Sequence, residues 1–367
     1  MSLLSKSLSI QVPGKLMIAG EFAVLEPYHR LMTMAVNRFI YIDVIASNDK
    51  QITLAKFNLT DLHWDFANNR ATIFTNDKRA NFVQEAMSIS FLYLKEKGIE
   101  IEPFSMEIKS ELDDQSTGKK YGLGSSAAVS VGVIKAILQF HLNESPSPEL
   151  VFKLAAISHV AAQGNGSGAD VAASAYGGII LYSSFQADWL RKKYQEANSL
   201  LQLLEMEWEY FFIQPITLPK DVHICIGWTG SPASTGNLVE RILQLKNENV
   251  YSYDKFLERS KVAVNSILRG IETNDIPKFL TGITENRQAL IAVGKAANTT
   301  LETPEISTLC DIAEVLGGAA KQSGAGGGDC GIAFMPSQQS ANMLMKEWKS
   351  KGITPLELQP FHNGLTN

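Results

Sequence analysis

Leu8, Ile10 and Val12 fall on one face of "LSIQV", and this period of two predicts a half-buried strand near the start of the chain. Strand-like patterns continue through "LMTMAVNRFIYIDVIA", "QITLAKF" and "RATIF". A helical period then takes over at "NFVQEAMSISFLYLKEKG", ended by Gly98, and alternation returns at "FSMEIKSEL". Helices are predicted at "AAVSVGVIKAILQFHL" and "PELVFKLAAISHVAAQ", followed by a glycine-rich stretch and the strand "GGIILYSS". The segment from Ala187 to Glu209 is polar and helical, and it reads as a bridge between two halves. Beyond it, "DVHICIGW" is a strand of the fully buried type, and helical patterns fill roughly residues 231–316. "GIAFM" and "ITPLELQ" are short strands with a helix between them. The regular strand–helix period of a doubly wound sheet is missing, so the pattern predicts an α+β protein in two domains, 1–186 and 187–367.

Length agrees, since 367 residues exceed what one ordinary core organises. No uninterrupted apolar run reaches the roughly 18 residues of a membrane span, and "MSLLSKSLSIQV" lacks the apolar core of a signal peptide. Cys225, Cys310 and Cys330 are odd in number and widely spaced, which points away from a disulfide framework or a zinc site. These features together predict a cytoplasmic metabolic protein. A net charge of −5 argues against a general nucleic-acid binder, but not against a small anion held by a few focused cations.

Four loops carry the candidate chemistry. In "KKYGLGSSAAVSVG", Gly122 and Gly124 let backbone N–H groups approach a ligand, and Ser125 or Ser126 is placed to cap the helix that follows. Free N–H groups and a positive helix end there favour phosphate. Gly122-x-Gly124-x-x-Ala127 also fits a permissive dinucleotide fingerprint, but the preceding "STGKKY" is no strand, and no Walker-type loop occurs anywhere. In "VPGKLMIAGEFAVL", Pro13 and Gly14 interrupt the first strand and leave Lys15 at the interruption, emerging into a cleft. Glu21 sits between apolar segments as a structural partner for a cation. In "GNGSGADVAASAYGG", Gly166, Ser167 and Gly168 form a backbone clamp, and Asp170 follows at a helix start among Ala and Val. In "KQSGAGGGDCGIAF", five glycines crowd the approach to a strand, which is explained by close backbone approach to a ligand.

In this order, the four segments resemble the GHMP kinase superfamily, from Pro13 to Gly331. "GWTGSPAST", "SGAGGGDCGIA" and the Gly-Ser-Gly ahead of Asp170 are similar to the bacterial phosphomevalonate kinases within it. The resemblance implies the two-domain GHMP kinase fold, with a ribosomal-protein-like N-terminal domain and a ferredoxin-like C-terminal domain. It implies an ATP-dependent kinase with Mg²⁺ as cofactor and phosphomevalonate as acceptor, with mevalonate as the nearest rival acceptor. A silent ligand sensor on the same fold is the rival outside enzymes.

Residue by residue, the resemblance implies that Lys119, Gly122, Leu123, Gly124, Ser125, Ser126 and Ala127 hold the ATP phosphates, with Ser126 on the metal. Asp170 and Lys15 match the family's catalytic aspartate and lysine, and Lys120 neutralises charge where the two phosphates meet. Ser167, Gly168, Thr229, Ser231, Ser234, Thr235 and Arg287 are expected on the acceptor. The last loop, with Ser323, Gly324, Ala325, Gly326, Gly327 and Asp329, is expected to close over it. Mevalonate kinases carry a glutamate about eleven residues before the aspartate; here His159 lies near that place and no acid does. A homodimer is a further expectation.

Overall fold

The computed structural model describes residues 6–114, 116–164, 166–231 and 235–362, the side chain of Thr235 apart. The first half is built on a long hairpin of β1 (Ser7–Ala19) and β2 (Arg30–Ala46). Alternating apolar residues keep both strands in register, with two slips: one where Ala19 follows Met17, and a larger one where Pro13 pairs with Phe39 but Gly14 pairs with Val36. Proline supplies no N–H to a ladder, so a bulge is where a strand tolerates it. Pro13 and Gly14 therefore bend β1 without ending it, in contrast to the interruption expected from sequence. Two residues of β2, Asn37 and Arg38, are skipped, and Asn37 is engaged instead by the end of the chain, through Asn37 N–H to Gln359 O at 3.1 Å and Gln359 N–H to Asn37 Oδ1 at 2.7 Å.

β3 (Gln51–Leu54), β4 (Leu59–Ala67), β5 (Arg70–Ile73) and β6 (Phe104–Ser110) extend this sheet, with α1 (Asn81–Glu96) between β5 and β6. Then come α2 (Ser125–Leu142), α3 (Pro148–Gln163), α4 (Ala169–Tyr176) and β7 (Ile179–Ser183). After α5 (Ala187–Glu196) and α6 (Leu200–Glu205), β8 (Phe212–Ile216) pairs antiparallel with β7. The sheet runs β5-β4-β3-β6-β2-β7-β8, with β1 on β2. β2 can serve β6 through Ile40–Ala46 and β7 through Arg30–Met34 because it is long and bent.

α2 is long and apolar enough to cross a membrane by composition, yet it is mostly buried here, packed on β1 and β2 and flanked by α1, α3 and α4. A helix hydrophobic all round is what a large core demands.

The second half carries β9 (His223–Trp228), α7 (Thr235–Glu248), α8 (Val250–Glu272), α9 (Ile276–Ala296) and α10 (Pro304–Val315). It closes with β10 (Ala319–Gln322), β11 (Cys330–Met335), α11 (Gln338–Ser350) and β12 (Thr354–Leu356). Its antiparallel sheet runs β10-β11-β9-β12, the ferredoxin-like order. By sheet membership the change from one half to the other falls between Ile216 and His223. The expected boundary at 186/187 precedes it by some thirty residues, because Leu190, Leu200 and Leu203 bury their apolar faces in the first core and β8 completes the first sheet.

Candidate active site

A cavity of about 620 Å³ opens where the two sheets meet. β1 brings Lys15 to it. Lys15 is 7% exposed, its N–H donates to Leu123 O at 2.9 Å and its Nζ reaches Gly122 O at 3.4 Å. The approach is so close that a Cβ on Gly14 would lie 2.8 Å from Leu123 O, and one on Gly124 2.8 Å from Lys15 Cε. The glycines on both sides are thus what lets strand and loop touch.

Gly124 is the N-cap of α2, at φ +74°, and no side chain caps this helix. Ser125 and Ser126 are its first residues, so the capping role expected of one of them is not taken. A left-handed backbone supplies the turn that a serine cap would otherwise make, leaving the first N–H groups free of any side-chain cap. Gly122, Leu123, Gly124, Ser125 and Ser126 all line the cavity, while Ala127 is fully buried behind them.

Opposite stands the start of α4. Gly168 is its N-cap at φ +74°, Tyr182 Oη donates to Ser167 O at 2.5 Å, and Phe185 occupies the space a Cβ on Gly168 would need. This clamp sets Asp170, half-buried, on the cavity wall with Ser167 and Gly168. His159 of α3 lines the same cavity.

The third wall is the glycine loop between β10 and β11. Ser323 is stapled to β1, its Oγ accepting from Met17 N–H at 2.8 Å and donating to Met17 O at 3.1 Å. Buried Lys321 pairs with Glu21, whose Oε1 also accepts from Gly324 N–H at 3.3 Å. Glu21 is therefore the cation partner expected of it. Ser323, Gly324, Ala325, Gly326 and Asp329 line the cavity. Gly327 is turned to another task, its N–H donating to Leu301 O at 2.7 Å.

Three expectations are corrected. Arg287 does not line the cavity: 5% exposed, it is bound by Glu302, Asp311 and Glu314 at 2.7 Å each. Burial disfavours its charge, but these hydrogen-bonded carboxylates outweigh that and raise its pKa. Thr229 and Ser231 do not line the cavity. They hold the last loop instead, Thr229 Oγ1 donating to Asp329 O at 3.0 Å and Ser231 O accepting from Asp329 N–H at 2.7 Å. The two lysines also part: Lys119 Nζ donates to Gly230 O at 3.0 Å, whereas exposed Lys120 lies on the cavity wall. Ser234 lies outside the described residues, and of Thr235 only the backbone is described, as the first residue of α7.

A second cavity, about 350 Å³, shares Lys120, Ser125 and Ser126 with the first. Its walls include Ile40, Leu54, Phe57, Phe82, Val83 and Ile108, with Lys56, Lys78, Arg79 and Lys109 at its edges. An apolar, aromatic slot joined to a phosphate loop suits a flat purine base. Sequence reasoning missed it, because its residues come from five separate segments and no motif marks them.

Among the described residues, no group of three or more His, Cys, Asp and Glu side chains is placed to hold a metal. The cavity offers the Ser126 hydroxyl and the Asp170 carboxylate, with Glu240 and Asp329 also on its walls. Oxygen donors of this kind fit Mg²⁺, which keeps waters and arrives largely on phosphates.

Two family models match the chain, one in each half. The GHMP kinases N terminal domain matches residues 81–178 and the GHMP kinases C terminal domain matches residues 267–354, about half of the chain together. The phosphomevalonate kinase of Streptomyces sp. (strain CL190) is 31% identical, over 96% of this chain and 97% of that protein. The chain belongs to the GHMP kinase family, on its phosphomevalonate kinase branch. A Lin0012 protein from Listeria innocua superimposes on this GHMP kinase with TM-score 0.90 at 38% identity, covering 97% of each chain. Streptococcus pneumoniae phosphomevalonate kinase, solved with phosphomevalonate and AMPPNP, superimposes with TM-score 0.84 at 30% identity, covering 96% of this chain and 99% of that one. Mevalonate kinases match this GHMP kinase less closely.

Proposed function

We propose that this GHMP kinase transfers the γ-phosphoryl group of ATP to (R)-5-phosphomevalonate, giving (R)-5-diphosphomevalonate and ADP in the mevalonate pathway. The observation that carries the reading is the continuous cleft: an apolar slot, a helix start without a side-chain cap, then a cavity carrying Lys15 and Lys120 and closed by the last glycine loop. The family relationship supports the choice of acceptor, since the relative solved with both ligands aligns over nearly the whole chain.

In this reading the base enters the slot and the triphosphate passes Gly122, Gly124, Ser125 and Ser126. An acceptor phosphate oxygen bonds to Pγ while the bond from Pγ to the β,γ-bridging oxygen breaks, and ADP leaves with that oxygen. Phosphoryl transfer is mainly positioning and charge neutralisation. Two polyanions meet here, and Lys15 and Lys120 supply the counter-charge. Ser126 would hold Mg²⁺ together with the phosphates, and the ion would supply charge shielding of the phosphate oxygens there. A phosphomonoester is already largely dianionic near neutral pH, so it needs no strong base. Asp170 accordingly orients Lys15 and the acceptor. Ser167, Gly168, Ser323, Gly324, Ala325, Gly326 and Asp329 contact the acceptor side. Both substrates are soluble anions, and we place the reaction in the cytoplasm.

The test compares ADP release with phosphomevalonate and with mevalonate under saturating Mg·ATP, with ³¹P NMR to identify a diphosphate product. Faster turnover of mevalonate would overturn the acceptor assignment. Nucleotide binding without ADP production would favour the ligand sensor.

A further inference from the structure

His159 is a buried polar group that the chemistry above does not use. It lies on α3, is 7% exposed, and its Nε2 has no hydrogen-bond partner although it is cut off from solvent. An unmet imidazole nitrogen in an interior is costly and calls for an explanation, and at the edge of a cavity a ligand that completes it is one. The location says which ligand. One face of the ring packs on Phe82, with centroids 5.1 Å apart and planes 33° apart, and Phe82 walls the apolar slot. His159 itself lines the larger cavity together with Ser126 and Asp170. It thus stands at the elbow where the slot meets the larger cavity beside the start of α2.

Its charge state is set by the same surroundings. Burial lowers the His159 pKa, and the nearby Asp170 carboxylate opposes that shift without reversing it. The ring is therefore neutral at physiological pH and can present one N–H. Proximity to Asp170 does not satisfy Nε2, which leaves it available to an acceptor brought by a ligand.

Building on the ATP-binding reading, we propose that His159, as the Nε2–H tautomer, donates a hydrogen bond to the bound nucleotide at the elbow. The acceptor atom is a phosphate oxygen, reached directly or through a water on its metal ion. His159 is a nucleotide-positioning residue: it adds a directed donor at the elbow without adding charge to a site already rich in lysines. A neutral donor orients phosphate oxygens while leaving Lys15 and Lys120 to respond to the transferring group.

The test is calorimetric titration of AMPPNP into the wild type, His159→Ala and His159→Gln, each with Mg²⁺ and with EDTA, alongside steady-state KM values. Wild-type protein that binds no AMPPNP would refute the ATP reading itself; the comparison below concerns His159 alone. His159→Ala is expected to weaken AMPPNP about tenfold or more and to raise the KM for ATP, with the KM for phosphomevalonate nearly unchanged. His159→Gln, which can return an N–H to a similar place, recovers part of that loss. A loss that persists in EDTA assigns the contact to phosphate, and a loss seen only with Mg²⁺ assigns it to metal-bound water. If His159→Ala melts normally and binds AMPPNP like the wild type, or changes only the KM for phosphomevalonate, the proposal is overturned. If His159→Ala fails to fold, the same criteria apply to His159→Gln against His159→Phe, which keeps the packing on Phe82 but has no N–H.

Discussion

Gly124→Ala tests whether the phosphate loop sets the position of Lys15. The added methyl has two costs of different kinds. At φ +74° an alanine sits in the left-handed region, which costs about 1–2 kcal/mol. Its Cβ also lies 2.8 Å from Lys15 Cε and 3.1 Å from Lys15 Cγ. That contact is with a flexible side chain, so it is relieved by swinging Lys15 away rather than by moving backbone. Stability should therefore fall only by the conformational term, a few degrees in melting temperature. Relief carries a functional cost, because it pulls Nζ from its 3.4 Å approach to Gly122 O and out of the cavity. A misplacement of about 1 Å at a reacting centre costs on the order of 10²-fold in rate. The assay is ADP release at saturating ATP and phosphomevalonate, paired with a melting curve on the same preparation. Gly14→Ala is the contrast: its Cβ meets the Leu123 carbonyl, which is backbone, so that variant should lose stability first. If Gly124→Ala keeps turnover within about twofold while its melting temperature falls, the loop does not position Lys15 and the reasoning fails.

Three other outcomes are expected. Lys15→Met should remove nearly all turnover, while Asp170→Asn should cost much less; equal losses with a basic limb in the pH–rate profile would instead make Asp170 a general base. Lys120→Ala should lower kcat about 10²-fold with little change in melting temperature, since Lys120 is exposed on the cavity wall; unchanged turnover removes it from the mechanism. Arg287→Met should leave both KM values alone and destabilise by about 3–5 kcal/mol, because it strands Glu302, which is itself 9% exposed; a raised KM for phosphomevalonate with normal melting would restore Arg287 to the acceptor site.

The four loops were legible in the sequence because each needs glycines at fixed offsets, and a backbone that must touch a ligand or a neighbouring strand writes that need locally. The strong periods were legible for a similar reason: α1, α3, β9 and β11 carry their burial pattern in consecutive residues. β10 was not, since "AAKQ" has no strand signature, and its Lys321 and Gln322 are buried only because Glu21 and the neighbouring sheet receive them. The fate of individual cations was equally hidden. Lys15, Lys119, Lys120 and Arg287 are alike as charges, and only the fold sends one to a strand bulge, one to a carbonyl, one to the cavity and one into a cage of acids. The slot beside the phosphate loop and the unmet nitrogen of His159 belong to the same class. Sequence fixes what depends on neighbours along the chain, while pairing energies and desolvation depend on neighbours in space.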